Sequence, residues 1–246
     1  MLAFPDSLLG AKADAAEITA FITGAFGPTV AALITRWLAH RDLKICLLWT
    51  GSRPTLVGLS VGLAAFFIAT LVAPTGAIVR APIYALHWAA LLHWGTYGIN
   101  YSTFLGGPVP EEPGWRGFAL PRLQAHYGAF WASVILAPLW AAWHLPLFWI
   151  MPGWTSASPG QFALILLGIS FLLTWAANLG RFSILIAIVL HAFFNTSSGL
   201  GNALSSNLPR RSHEMWIYTL VIFLGGFACG LAFLGKRRIS GEPSGL

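Results

Sequence analysis

Between residues 161 and 200 the chain carries a single Asp, Glu, Lys or Arg side chain, Arg181. A run so long and so poor in charge constrains the fold more than any other feature. A membrane-spanning helix needs about 20 mainly apolar residues, and two fit here back to back, at 161–179 and 182–200. Composition extends the argument to the whole chain. Of 246 residues, 57% are hydrophobic and 9% charged, against roughly 25% charged in a soluble domain. The mean hydropathy is +0.71. A soluble fold would leave too much apolar surface in water, whereas a bilayer makes lipid the solvent. The expected fold is therefore all-α, a polytopic membrane helix bundle.

Seven apolar stretches qualify as spans: 18–38, 56–74, 82–105, 128–150, 161–179, 182–200 and 215–235. Residues 111–126 are helical in pattern but polar at their start, and read either as a short half-buried helix or as an eighth span. The bundle thus has seven or eight transmembrane helices in one membrane domain, residues 1–246. There is no internal repeat and no soluble domain. Trp37, Trp49, Trp149, Trp154, Trp216 and Tyr218 fall near predicted helix ends, where an interfacial aromatic belt belongs. Pro138 and Pro146 lie inside a predicted span, which neighbouring helices or water make tolerable. Asn178 and Arg181 mark a helix end.

The formal net charge is +6. The basic residues form short clusters between apolar runs, which topology and anionic lipid explain. No basic helix or aromatic-basic surface points to nucleic acid. With seven spans, the positive-inside rule places the C-terminus in the cytoplasm; an eighth span would nearly erase the bias. Cys46 and Cys229 are far apart and form no CxxC or Cys/His cluster, so neither a disulfide framework nor structural zinc is expected. Residues 1–17 contain Asp6, Lys12, Asp14 and Glu17 and do not read as a secretory signal.

Polar groups inside apolar segments are costly and usually have a task. Three places stand out. In EEPGWR at 111–116, Glu112 and Arg116 are four apart and share a helix face. Charge pairing there leaves Glu111 as a base; the alternative is an ordinary salt bridge on a solvated helix start. His144 sits late in an apolar span, either functional or bonded to a carbonyl freed by Pro138 or Pro146. His191 and Asn195 share a helix face and suit an oxyanion, or serve as interhelical hydrogen-bond glue. His87, His93 and Asn100 suit packing or a cavity wall, and Thr196, Ser197 and Ser198 suit backbone bonding. No HExxH or GxxxxGK[ST] motif occurs.

In order, EExxxR, an aromatic residue four before His, and HxxxN resemble the CaaX-processing and bacteriocin-immunity (CPBP, or Abi) family of intramembrane proteases. The match runs through Glu111, Glu112, Arg116, Trp140, His144, His191 and Asn195, with GWRGFALPRLQ and WHLPLF alongside, and covers roughly residues 105–200. The second motif is usually written with Phe where this chain has Trp140, and another aromatic fills the same packing role. The resemblance implies an endopeptidase that hydrolyses a peptide bond in a membrane-associated peptide or protein. Glu111 would be the general base and His144 would orient the attacking water. His191 and Asn195 would steady the oxyanion, with Glu112, Arg116 and Trp140 in support. Glu111, His144 and His191 also form a permissible zinc set, so zinc is the candidate cofactor and metal dependence stays open. The implied location is an integral, multi-pass one, in the plasma membrane of a bacterial host. The substrate, prenylated or not, and the oligomeric state stay open. Two further readings remain: a transporter with a buried Glu/His path, and a non-catalytic immunity or binding protein.

Overall fold

The computed structural model describes residues 23–41, 107–150, 157–204 and 212–234, together with positions 19, 56, 60 and 155. Every regular element among the described residues is helical. Apart from positions 56 and 60, the predicted spans 56–74 and 82–105 lie outside the described residues, as do His87, His93, Asn100, Cys46, Trp49 and Trp154.

Helix α1 (Gly27–His40) begins with a proline in its first turn and ends at Arg41, whose φ of 57° stops the helix. Helix α2 (Pro108–Gly114) starts after Gly107 and again places Pro at its first position. There the missing N–H costs nothing and the fixed φ suits the helix. A π-helical turn follows at Trp115–Ala119, closed by the Leu120 N–H donating to the Trp115 carbonyl. Helix α3 (Leu120–His144) kinks at Gly128, where φ is 75° and ψ 166°. A side chain rarely adopts that backbone shape. The predicted element 111–126 is thus a buried helical entry to the 128–150 span, and Glu111, Glu112 and Arg116 lie inside the protein. The solvated salt bridge weighed for this segment does not occur.

After the single turn of α4 (Leu147–Ile150) comes α5 (Pro159–Leu179). Its start is a capping box in which Gln161 N–H donates to Ser158 Oγ and Ser158 N–H donates to Gln161 Oε1. These bonds satisfy two otherwise orphaned donors. Its end follows the sequence: after Asn178, the chain turns through Arg181 and Phe182, both at positive φ. Helices α6 (Ile184–Leu204) and α7 (Ser212–Leu231) complete the order.

Helix α5 is central and packs on α3, α6 and α7. Its core side chains include Leu166, Ile169 and Leu173, which join Trp140 of α3, Ile186 and Leu190 of α6, and Tyr218 and Ile222 of α7. Gly168 and Gly226 let α5 and α7 approach closely; a Cβ on Gly168 would lie 2.7 Å from Phe223 Cα. Polar clasps join α3 to α5. Gln124 and Asn178 exchange amide hydrogen bonds of 2.7 and 3.1 Å. Ser133 donates to Thr174 Oγ1 at 2.8 Å. Such bonds are each worth about 0.6–2 kcal/mol between membrane helices.

The stretch Pro108–Ile150 and helix Pro159–Leu179 are long and apolar enough to cross a membrane; Ile184–Asn195 and Met215–Leu231 are shorter apolar helices. Large apolar side chains point outward, among them Trp131, Leu139, Leu220 and Leu224. Trp37, Trp149 and Trp216 are exposed as a belt requires, but Tyr218 is buried in the core and does not belong to it. Its position near a helix end suggested the interface; packing between α5 and α7 placed it inside.

Candidate active site

The site is built where α2, the end of α3 and α6 meet. Gly107 supports it from below. Its φ is 117°, and its carbonyl accepts the Glu111 N–H at 2.7 Å. The Glu111 Oε1 atom lies where a Gly107 side chain would have to be. Helix α1 braces the outer side of α2: Thr29 Oγ1 donates to the Pro110 carbonyl, and Gly114 lies against the Pro28 backbone.

The adjacent glutamates face different partners. Glu111 Oε2 accepts a 2.8 Å hydrogen bond from the Trp140 indole Nε1–H. Glu111 Oε1 faces His144 Nε2 across 3.9 Å. His144 Nδ1 lies 2.9 Å from the Trp140 carbonyl oxygen. A carbonyl only accepts, so Nδ1 carries the proton there. Phe162 of α5 packs on the His144 ring, with centroids 5.4 Å apart.

Glu112 serves a second cluster. Its Oε1 accepts from an Arg116 terminal nitrogen at 2.9 Å and lies 2.8 Å from His191 Nδ1. Glu112 Oε1 already accepts from Arg116, so His191 Nδ1 is the donor to it, and Nε2 is the nitrogen turned elsewhere. Trp140, fully buried, joins the clusters. The Arg116 guanidinium carbon sits 4.1 Å from the centroid of its ring, and the His191 ring meets it edge-on at 5.1 Å. Asn195 lies one helical turn beyond His191 and is half-buried.

Among the described residues, four of the five buried polar side-chain atoms with no hydrogen-bond partner belong to this segment, namely Glu112 Oε2, Arg116 Nε and its other terminal nitrogen, and Trp115 Nε1; the fifth is Ser183 Oγ. Native interiors leave few such groups.

Seven residues singled out in the sequence thus lie on the elements around one region, and six of them are tied by direct contacts. Sequence reasoning missed Gly107 and treated Trp140 as packing alone. For zinc, Glu111 and His144 offer two facing donors. Among the described residues no group of three His, Cys, Asp or Glu side chains is placed to hold a metal ion. A three-ligand catalytic zinc set is therefore not assembled by the groups described.

Comparison with known proteins agrees with this geometry. A family model described as Type II CAAX prenyl endopeptidase Rce1-like matches residues 93–197, a range that contains every motif residue. CAAX prenyl protease 2 of Methanococcus maripaludis is 33% identical over 97 residues, covering 37% of this chain and 36% of that protein. The chain therefore spans about a third of the length of the curated relative it matches. Motif order, the packing of those motifs around one region and the match over residues 93–197 agree in one respect: that part of the chain is similar to the CPBP/CAAX prenyl endopeptidase family.

Proposed function

We propose that the chain is a membrane-embedded endopeptidase that hydrolyses a peptide bond of a membrane-associated substrate, a prenylated CaaX protein or a small peptide. The observation that carries this reading is the facing of Glu111 Oε1 and His144 Nε2 across 3.9 Å. Both atoms are acceptors, because Glu111 is a carboxylate and His144 holds its proton at Nδ1. A water placed between them donates one O–H to each and turns a lone pair toward the substrate carbonyl.

Glu111 takes a proton from that water as its oxygen bonds the carbonyl carbon. Asn195 donates its amide N–H to the developing oxyanion. His191 joins it when its Nε2 also carries a proton, its Nδ1 being held by Glu112 Oε1. Collapse of the tetrahedral intermediate breaks the C–N bond, and Glu111 returns its proton to the leaving amine. Arg116 and His191 Nδ1 share Glu112 Oε1, and that contact fixes which face His191 presents.

The test is cleavage by purified protein in lipid, with a prenylated CaaX peptide and a broader set of membrane peptides, comparing wild type with Glu111→Gln. Cleavage lost in a folded variant supports the reading. Ion-coupled uptake into vesicles without cleavage overturns it in favour of transport. Zinc is decided by metal analysis of the same preparation: near-stoichiometric zinc that leaves together with activity on chelation would make Glu111 and His144 ligands.

A further inference from the structure

Trp140 contacts both members of the water-activating pair, and by two different parts of the residue. Its indole N–H is bonded to Glu111 Oε2 at 2.8 Å. Its backbone carbonyl is bonded to His144 Nδ1 at 2.9 Å. The first bond occupies one carboxylate oxygen and leaves the other to face the histidine. The second fixes the tautomer that turns the Nε2 lone pair toward Glu111. The ring itself cannot drift. It is fully buried, held under the Arg116 guanidinium at 4.1 Å and flanked by His191 at 5.1 Å. A cation over the ring face also draws density from the indole and strengthens its N–H as a donor.

We infer that Trp140 is the positioning residue of this site: its indole N–H selects Glu111 Oε1 as the oxygen that takes the proton. Phenylalanine, usual in this motif, fills the same volume in part but has no N–H. This chain therefore holds its base with a hydrogen bond that a phenylalanine version lacks. The backbone bond to His144 is common to both, so the indole contribution is separable by side-chain replacement. The inference rests on the peptidase reading for its kinetic consequence but not for its geometric one.

The experiment uses full-length protein in lipid nanodiscs, wild type against Trp140→Phe and against Trp140→3-benzothienylalanine, which keeps the bicyclic shape and lacks the N–H. A hydrogen bond to a charged acceptor is worth enough to predict about a tenfold fall in kcat for both replacements. KM stays within about twofold, because substrate contacts are not removed. Normal kcat in the benzothienyl protein overturns the inference, since packing alone would then explain Trp140. A second readout does not need turnover. In protein labelled with 15N at the indole nitrogens, the Trp140 resonance, assigned by its loss in Trp140→Phe, moves when Glu111 becomes Gln. A resonance unmoved by Glu111→Gln overturns the inference whatever the kinetics. A wild type that cleaves nothing, with the resonance shifted as expected, overturns the peptidase reading and leaves the hydrogen bond standing.

Discussion

Glu112 Oε1 lies 2.8 Å from His191 Nδ1, while its neighbour Glu111 faces His144. Two adjacent carboxylates on a helix point about 100° apart, so neither can take the other's partner. This separation makes the two glutamates distinguishable by experiment.

Glu111→Gln keeps the shape and the acceptor for the Trp140 indole, so the fold should survive with cleavage lost. Glu112→Gln should behave differently. It leaves Arg116, only 2% exposed, without its counter-charge, and breaking such a buried pair costs about 3–5 kcal/mol. Thermal unfolding in detergent checks both: the expected result is a near-normal midpoint for Glu111→Gln and a large drop for Glu112→Gln. Equal midpoints would show that Glu112 is not structural.

Gly107→Ala should damage the site without touching a charged group. The added methyl meets Glu111 Oε1, and the φ of 117° is strained for any side chain, at about 1–3 kcal/mol. Activity should fall by at least about tenfold, since misplacing a catalytic group by about 1 Å can cost a hundredfold. Full activity in Gly107→Ala would mean that Glu111 is not held as described.

Gly168→Ala and Gly226→Ala act on packing alone. Each Cβ would meet the backbone of the facing helix, and overpacking costs about 1–3 kcal/mol. Neither glycine approaches the glutamates. The expected outcome is a lowered unfolding midpoint with kcat retained at low temperature. A selective loss of kcat would instead link α7 to the chemistry.

The Gln124–Asn178 clasp offers a cleaner energy. Gln124 is buried at 1% exposure, and Asn178→Ala leaves its amide unsatisfied, at about 1–3 kcal/mol. A double-mutant cycle with Gln124→Leu should return a coupling of roughly 1 kcal/mol, because the double variant removes both polar groups. Additive single effects would show that the two amides do not interact.

What the sequence revealed, and what it hid, follows from the range of the interactions involved. Helix spacing alone made Glu112–Arg116 and His191–Asn195 readable as pairs, because residues four apart share a face. The end of α5 near Asn178 was equally local. Hydropathy misjudged residues 111–116, since it scores Glu and Arg as water-seeking and cannot register that a partner on another helix makes burial tolerable. The Trp140 hydrogen bond joins residues 29 apart, and the Gln124 clasp joins residues 54 apart. No spacing rule reaches that far. Gly107 was hidden for a different reason: one glycine among 26 shows its backbone angle only when the chain is folded.

The wide turn at Trp115–Ala119, closed five residues back by the Leu120 N–H, stores one spare residue beside the site. A π turn holds one more residue than the α-helical turn it replaces, and each residue advances an ordinary helix by about 100°. Deleting Gly117 would let the turn relax into ordinary helix that sweeps the same rotation with one residue fewer, so both glutamates would keep their heading toward Trp140 and His144. A residue deleted from the ordinary helix that follows, such as Leu123, has no such slack. Everything before it, including both glutamates, would then turn by about 100° relative to Trp140 and His144. The turn works like a link of play in a chain, and the helix after it has none.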